Sequence, residues 1–252
     1  MTTCSVEDLI SYGSSPAGQS GTMQVQARLI PTRVPKNPEA VVLVLHGGAS
    51  PRQAGGSNGN KTVSPTQPSV LRMIPIAKRL ARGGRGRLAV FRLLNSVRGW
   101  DTHHTPVDDA SWALNQLRER FGERPIALVG HSLGGRAALL SAAQADVQTV
   151  VALAPWVYPT DSVPGLTGRR ILIVHGSADH IASPERSAAV ARSLENSNEV
   201  SYVTVTGGKH AMLRRRNLFD GLASDFVAGT LLGQQQTGVA GRVLAGESWL
   251  EV

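Results

Sequence analysis

Three side chains follow one another in an order that could move an acyl group. They are Ser132 in Gly130-His131-Ser132-Leu133-Gly134, Asp179 three residues after Gly176, and His210 in Gly207-Gly208-Lys209-His210. A serine hydroxyl is a weak nucleophile at neutral pH. An imidazole within reach takes its proton during attack, and a carboxylate behind the imidazole fixes its tautomer and stabilises the imidazolium. Such chemistry also needs backbone N–H groups aimed at the oxyanion. Leu45-His46-Gly47-Gly48-Ala49 is small enough to supply one from Gly48, or from Ala49 one residue on, with Leu133 supplying the other.

The G-x-S-x-G spacing is weak by itself in a chain with 27 glycines, and a second copy occurs at Gly55-Gly56-Ser57-Asn58-Gly59. Context separates the two. Ser132 follows the apolar run IALVG and precedes a helical run over 133–145. That is a tight strand–turn–helix in which the serine is lifted above a sheet, and glycines two residues either side keep side chains from colliding. Ser57 lies in AGGSNGNKTVSPTQP, with no strand before it and no helix after it, and is expected to be loop.

The elements that must position these groups can be read from periodicity. Residues 22–30 alternate and suggest an antiparallel edge strand; 31–38 reads as a turn. AVVLVL at 40–45 is apolar throughout, as expected of a strand buried on both faces. A polar loop over 47–68 leads to a helix over 69–81, blemished by Pro75, and a strand over 87–93. Thr105-Pro106-Val107-Asp108 reads as a helix start, with Thr105 capping and Pro106 first. Strands are expected at 125–129, 147–153, 170–175 and 199–205, with helices at 132–145, from Ser183-Pro184-Glu185 to Leu194, and at 212–232. Residues 233–252 read as a loosely attached tail in which Trp249-Leu250 could dock. This alternation predicts an α/β fold, one mostly parallel twisted sheet with helices on both faces, in a single domain. Asp179 and His210 each fall just past a strand, at the C-terminal ends where parallel sheets place their sites. The segment between 153 and 170 is too short for an inserted lid domain.

Over residues 25–232 the chain resembles the α/β-hydrolase superfamily, through LHGGAS, GHSLGGRAALL, HGSADHIASP and GGKHAML. Lacking a lid, it is similar to small serine esterases, dienelactone hydrolases and the cutinase-like branch. Ala154-Pro155-Trp156 resembles the strand end of cutinase-like members, where a tryptophan lines the acyl cleft. The resemblance implies a serine hydrolase that cleaves carboxylic esters through an acyl-enzyme, without metal or organic cofactor. Thioester, lactone and peptide substrates stay open, as does a non-catalytic binding member of the fold. A serine at the elbow argues against dehalogenase and epoxide hydrolase chemistry, for which the family uses aspartate.

Other residues have plainer explanations. His46 is expected to brace the oxyanion loop, His131 to pack, and His175 to support the Asp179 loop; His180 could compete with His210 as the base, but adjacency on one loop makes a hydrogen bond back to Asp179 awkward. Asp101, His103, His104, Asp108 and Asp109 match no zinc spacing, and the acids suit a helix start. Trp156 is expected in the cleft with Ala49 and Arg98. Trp100 could line it or pack, Tyr158 is undecided, and Asp161 is the rival acid.

The net charge of +8 comes from 26 Lys+Arg, only four of them lysine, densest at 78–87 and 214–216. Aromatics make up 4% and do not interleave with these arginines, so a solvated surface is expected rather than a nucleic-acid or membrane face. The partner expected is a small ester or acyl substrate. Cys4 is the single cysteine, and MTTCSVEDLISYGSS lacks the basic and apolar regions of a signal peptide. Both suggest a cytoplasmic protein and argue against extracellular polyester hydrolysis.

Overall fold

The computed structural model describes residues 26–48, 63–100, 104–161, 163 and 166–252. Strand β1 (Arg28–Arg33) opens the described chain, followed by β2 (Ala40–Leu45), α1 (Pro68–Gly83), β3 (Leu88–Leu94), α2 (Thr105–Phe121), β4 (Ile126–His131) and α3 (Leu133–Leu140). Then come β5 (Val147–Leu153), β6 (Arg170–Gly176), α4 (Pro184–Leu194), β7 (Glu199–Val205), α5 (Arg216–Leu232), α6 (Gly238–Leu244) and β8 (Trp249–Glu251). They build one eight-stranded sheet in the order β1-β3-β2-β4-β5-β6-β7-β8. Among the described strands only β1, paired with β3, is antiparallel.

Strand β2 is buried at every position because helices cover both faces. Its side chains divide by alternation: Val42 and Val44 join the core under α1, α5 and α6, and Val41, Leu43 and Leu45 the core under α2, α3 and α4. All parallel strands end on the same side. The loops after β2, β4, β6 and β7, which carry Gly48, Ser132, Asp179 and His210, therefore share one edge. Among its described residues the segment 154–169 forms neither helix nor strand. Among the described residues no helix is long and apolar enough to cross a membrane.

Several local expectations need correction. β1 runs through Pro31, where a turn was expected; an edge strand tolerates the missing N–H, and the register slips between Pro31 and Arg33. Residues 22–25 lie outside the described residues. Helix α2 begins at Thr105 itself, with His104 at φ 57° as its cap and Pro106 in the first turn. Helix α3 stops at Leu140, five residues short of the expected end, and a one-turn 3-10 helix, Leu213–Arg215, precedes α5.

The tail is the largest correction. α6 buries Ala240 and Val243 in the core beside α5, and β8 pairs with β7, placing Leu250 beside Val203 and Trp249 beside Tyr202. Trp249 Nε1 donates to Glu195 at 2.6 Å, so Trp249-Leu250 does dock. A seven-residue helix and a three-residue strand are too short for either period to register.

Candidate active site

Ser132 stands between the last residue of β4 and the first of α3, with φ 57° and ψ −119°. A side chain at positive φ costs about 1–3 kcal/mol and persists only when its surroundings hold it. Here its N–H donates to Leu153 O (3.0 Å), and its own carbonyl accepts from Trp156 N and Arg136 N (3.1 Å each). The neighbouring strand end thus clamps the turn. The two glycines serve backbone contacts rather than the side-chain collision expected. A Cβ on Gly130 would lie 2.7 Å from Gly135 N, and one on Gly134 would lie 2.6 Å from His46 O. This close packing brings the end of β2 against the elbow.

The result is that the loop after β2 lies directly beside Ser132. A Cβ on Gly47 would sit 3.3 Å from Ser132 Cβ, and one on Gly48 would meet Arg98 O and lie 3.2 Å from Leu133 Cδ1. Gly48 and Leu133 are therefore neighbours, and the N–H of Leu133, first in its helix, has no intrahelical acceptor. His46 is buried beneath the loop. Asn95 N donates to its Nε2 (3.2 Å), so its proton is on Nδ1, which donates to Gly47 O (2.6 Å). Burial lowers its pKa, keeping this brace neutral. Ala49 and Ser57 lie outside the described residues.

The loops after β6 and β7 meet at glycines: Gly176 ends β6, and Gly207-Gly208 follow β7. A Cβ on Gly176 would fall on the Gly208 backbone. Ala178 N donates to Gly208 O and Gly207 N to Ser177 Oγ, each at 2.9 Å. This junction brings His210 Nδ1 to 2.8 Å from Asp179 Oδ2. Asp179 is buried. Its Oδ1 accepts from Ile181 N (2.8 Å) and Ala182 N (3.0 Å), and its Oδ2 also faces His175 Nε2 (3.1 Å). Burial opposes ionisation, but the donors from His175, His210 and Ala182 outweigh it and hold the carboxyl well below its usual range. Among the described residues no hydrogen bond joins His210 to Ser132; such contacts often tighten only on substrate binding.

The segment carrying His210 is gripped from beneath by two side chains. His131 Nε2 lies 2.9 Å from His210 O, and the two rings are 4.9 Å apart. A carbonyl only accepts, so His131 donates from Nε2 and leaves Nδ1 buried without a partner. Burial, with the adjacent His210, lowers its pKa to about 3, so the ring is neutral. It packs, as expected, but also holds the His210 backbone. Arg72 of α1 donates from Nε to Ala211 O (3.0 Å) and pairs with Asp220 at 2.6 Å. Nothing in the sequence around Arg72 marks that role, since Ala211 is 139 positions away.

The cleft residues divide. Arg98 is exposed, and Trp100 and Trp156 are half-buried. Arg136 lies over Trp100 at 4.0 Å and Tyr158 at 4.8 Å, and donates to both oxygens of Asp161 at 2.7 Å. Asp161 is thereby committed to Arg136, not to an imidazole. His180 is exposed. Asp109 accepts from Ser96, tying α2 to the end of β3; Asp101 and His103 lie outside the described residues. Among the described residues no group of three or more His, Cys, Asp or Glu is arranged to hold a metal ion.

A family model described as PETase, PET hydrolase-like, matches residues 105–228. Among solved structures, a protein of unknown function from Agrobacterium tumefaciens is 18% identical at a TM-score of 0.59, covering 82% of this chain and 92% of that one. Est1E from Butyrivibrio proteoclasticus is 17% identical at 0.57, covering 82% and 94%. A serine hydrolase without a lid from Xanthomonas campestris is 19% identical at 0.57, covering 84% and 90%. On strand order, elbow geometry and these likenesses, the chain has the α/β-hydrolase fold.

Proposed function

We propose that this hydrolase cleaves carboxylic esters through an acyl-enzyme on Ser132. The observation that carries the proposal is the hydrogen bond between buried Asp179 and half-buried His210 at the same sheet edge as the strained Ser132. Because Asp179 only accepts, the proton of neutral His210 is on Nδ1 and the lone pair on Nε2. Nε2 takes the Ser132 proton as Oγ attacks the carbonyl carbon. The N–H groups of Leu133 and Gly48 receive the oxyanion, and Asp179 stabilises the imidazolium. His210 then protonates the leaving alcohol, and the reverse sequence with water frees the acid. Each step uses side chains and backbone of this chain alone.

The substrate is a small or open-cleft ester. Trp156, held through its N–H on the Ser132 carbonyl and with Tyr158 beside its ring, supports an aromatic face there, and the Arg98 backbone lies against Gly48. Aromatic faces favour short acyl chains or aromatic acids over long lipids. The structure of Est1E from Butyrivibrio proteoclasticus with ferulic acid bound agrees in direction. Labelling by a fluorophosphonate, then kcat/KM over p-nitrophenyl esters of increasing chain length, tests the proposal. Labelling at Ser132 with a short-chain or aromatic optimum supports it. An optimum at long chains overturns the substrate assignment, and absence of labelling and turnover leaves a binding member of the fold.

A further inference from the structure

Asp179 has two imidazoles on one oxygen, and the acyl-transfer scheme uses only one. His175, next to last in β6, is fully buried. Its Nε2 lies 3.1 Å from Asp179 Oδ2 and 3.2 Å from Ala182 O. Both neighbours are acceptors, so Nε2 carries a proton. The other nitrogen, Nδ1, lies 2.7 Å from Ser187 Oγ. Ser187 in turn lies 3.0 Å from Tyr202 OH, and both hydroxyls are 2.9 Å from the Pro184 carbonyl. With His175 neutral, Ser187 donates to Nδ1, and Tyr202 donates to Pro184 or to Ser187. Rotating the ring would leave several buried polar groups unpaired, each costing about 1–3 kcal/mol.

We infer that His175 is a positioning residue for the Asp179–His210 pair: its Nε2–H holds Asp179 Oδ2 from behind and shares that oxygen's charge, while α4 and β7 lock its ring. The inference rests on the acyl-transfer role proposed for Ser132, Asp179 and His210. His175 is not itself the base. Its ring is sealed from the cleft, and both nitrogens are occupied. Its effect on the carboxylate is twofold. Without it, Oδ1 stays pinned by Ile181 and Ala182, but Oδ2 answers only to His210, so the plane that orients the imidazole loosens. The negative charge that His210 meets also becomes undiluted, which stabilises the imidazolium. His210 must be neutral to act as a base, so its acid limb moves to higher pH.

The charged and titratable groups around this unit are few. Asp179 and His210 come from the loops, His131 from β4, Arg72 from α1, Glu185 and Arg192 from α4, and Tyr202 from β7. All of them remain in the variants below that replace His175.

The test exploits side-chain geometry. In His175→Gln the amide nitrogen is as many bonds from the backbone as Nε2, so the donor to Asp179 survives. In His175→Asn the nitrogen matches Nδ1, and the donor to Asp179 is lost. kcat, KM and the pH profile of kcat/KM are measured on a short-chain p-nitrophenyl ester, with thermal melts to establish folding. The expectation for His175→Asn is a kcat lower by about 10- to 100-fold, KM nearly unchanged, and an acid limb at higher pH. His175→Gln recovers most of kcat and the original limb. Ser187→Ala, which leaves His175 in place but unlocks Nδ1, lowers kcat in the same direction by less, and carries the test if the His175 variants do not fold. Folded Asn and Gln variants with equal kcat and unmoved limbs, or Ser187→Ala with unchanged kcat where those variants fail to fold, overturn the inference. Fluorophosphonate labelling of the unaltered protein separates the two levels. If Ser132 is not labelled, the acyl-transfer scheme fails and this inference falls with it; labelling without the Asn–Gln difference sinks this inference alone.

Discussion

Asp161 and Asp179 follow adjacent strands of the sheet, both are largely shielded from water, and both take several hydrogen bonds. Their partners differ in kind. Asp161 receives both arms of the Arg136 guanidinium, itself held between Trp100 and Tyr158, and the Tyr158 N–H as well. Its charge is matched by a guanidinium. Asp179 receives two imidazoles and two backbone N–H groups, and no guanidinium among the described residues. Its charge is held but not matched. A carboxylate with a standing counter-ion has little left for a charge that appears only during reaction. One held by neutral donors stabilises an imidazolium the moment it forms. Asp220, paired with Arg72, belongs to the first kind and anchors the backbone next to His210 instead.

The largest expected effect asks whether the Asp179 edge is a reactive site at all. Ser132→Ala should lower ester turnover by about 10⁴-fold or more with the fold intact, whereas Ser57→Ala should leave it unchanged. Retained turnover in Ser132→Ala would move the nucleophile elsewhere.

The next asks whether the two carboxylates are as different as their partners suggest. Asp179→Asn should cost on the order of 10⁴ in kcat while the protein stays folded, because the imidazole is then held in the wrong tautomer. Asp161→Asn should change kcat far less but destabilise the fold by about 3 kcal/mol in urea unfolding, since Arg136 is left buried without its counter-ion. An exchange of these phenotypes would reverse the assignment of the acid.

A smaller effect concerns the grip on the His210 segment. Arg72→Lys keeps a cation for Asp220 but removes the Nε donor to Ala211 O. A shift of His210 by a fraction of an ångström should lower kcat by about 10-fold with little change in KM. An unchanged kcat would mean that His131 and the Gly176–Gly208 junction suffice.

The smallest appears only in the pH dependence of stability. His131 is neutral in the folded protein, with a pKa lowered from 6.5 to about 3. Below 6.5 the unfolded chain binds a proton that the folded chain refuses. The stability this group supports is therefore present above pH 6.5 and lost as pH falls toward 3. His131→Gln keeps a donor for His210 O and removes the titration. Its urea midpoint should fall less between pH 7 and pH 5 than that of the unaltered protein, by up to about 2 kcal/mol in stability. Equal losses in the two proteins would show that His131 does not set the acid sensitivity.

What was legible in the amino-acid order was written locally. AVVLVL announces a strand covered on both faces. IALVG-HS-LGG announces a turn where backbones meet, and the Asp179 and His210 segments each announce the end of a strand. Such signals need only a few adjacent residues, because alternation, helix starts and glycine contacts act over short stretches. The edge strand β8 escaped because three residues cannot display a period. Tertiary structure alone decided that Arg72 meets Ala211 and Asp220, and that Arg136 takes Asp161 out of contention. It also decided that Ser187 and Tyr202 lock His175 against Asp179. Carbonyl acceptors carry no residue signature, and partners up to 148 positions apart carry no spacing, so those contacts come into being only when the sheet brings its strand ends to one edge.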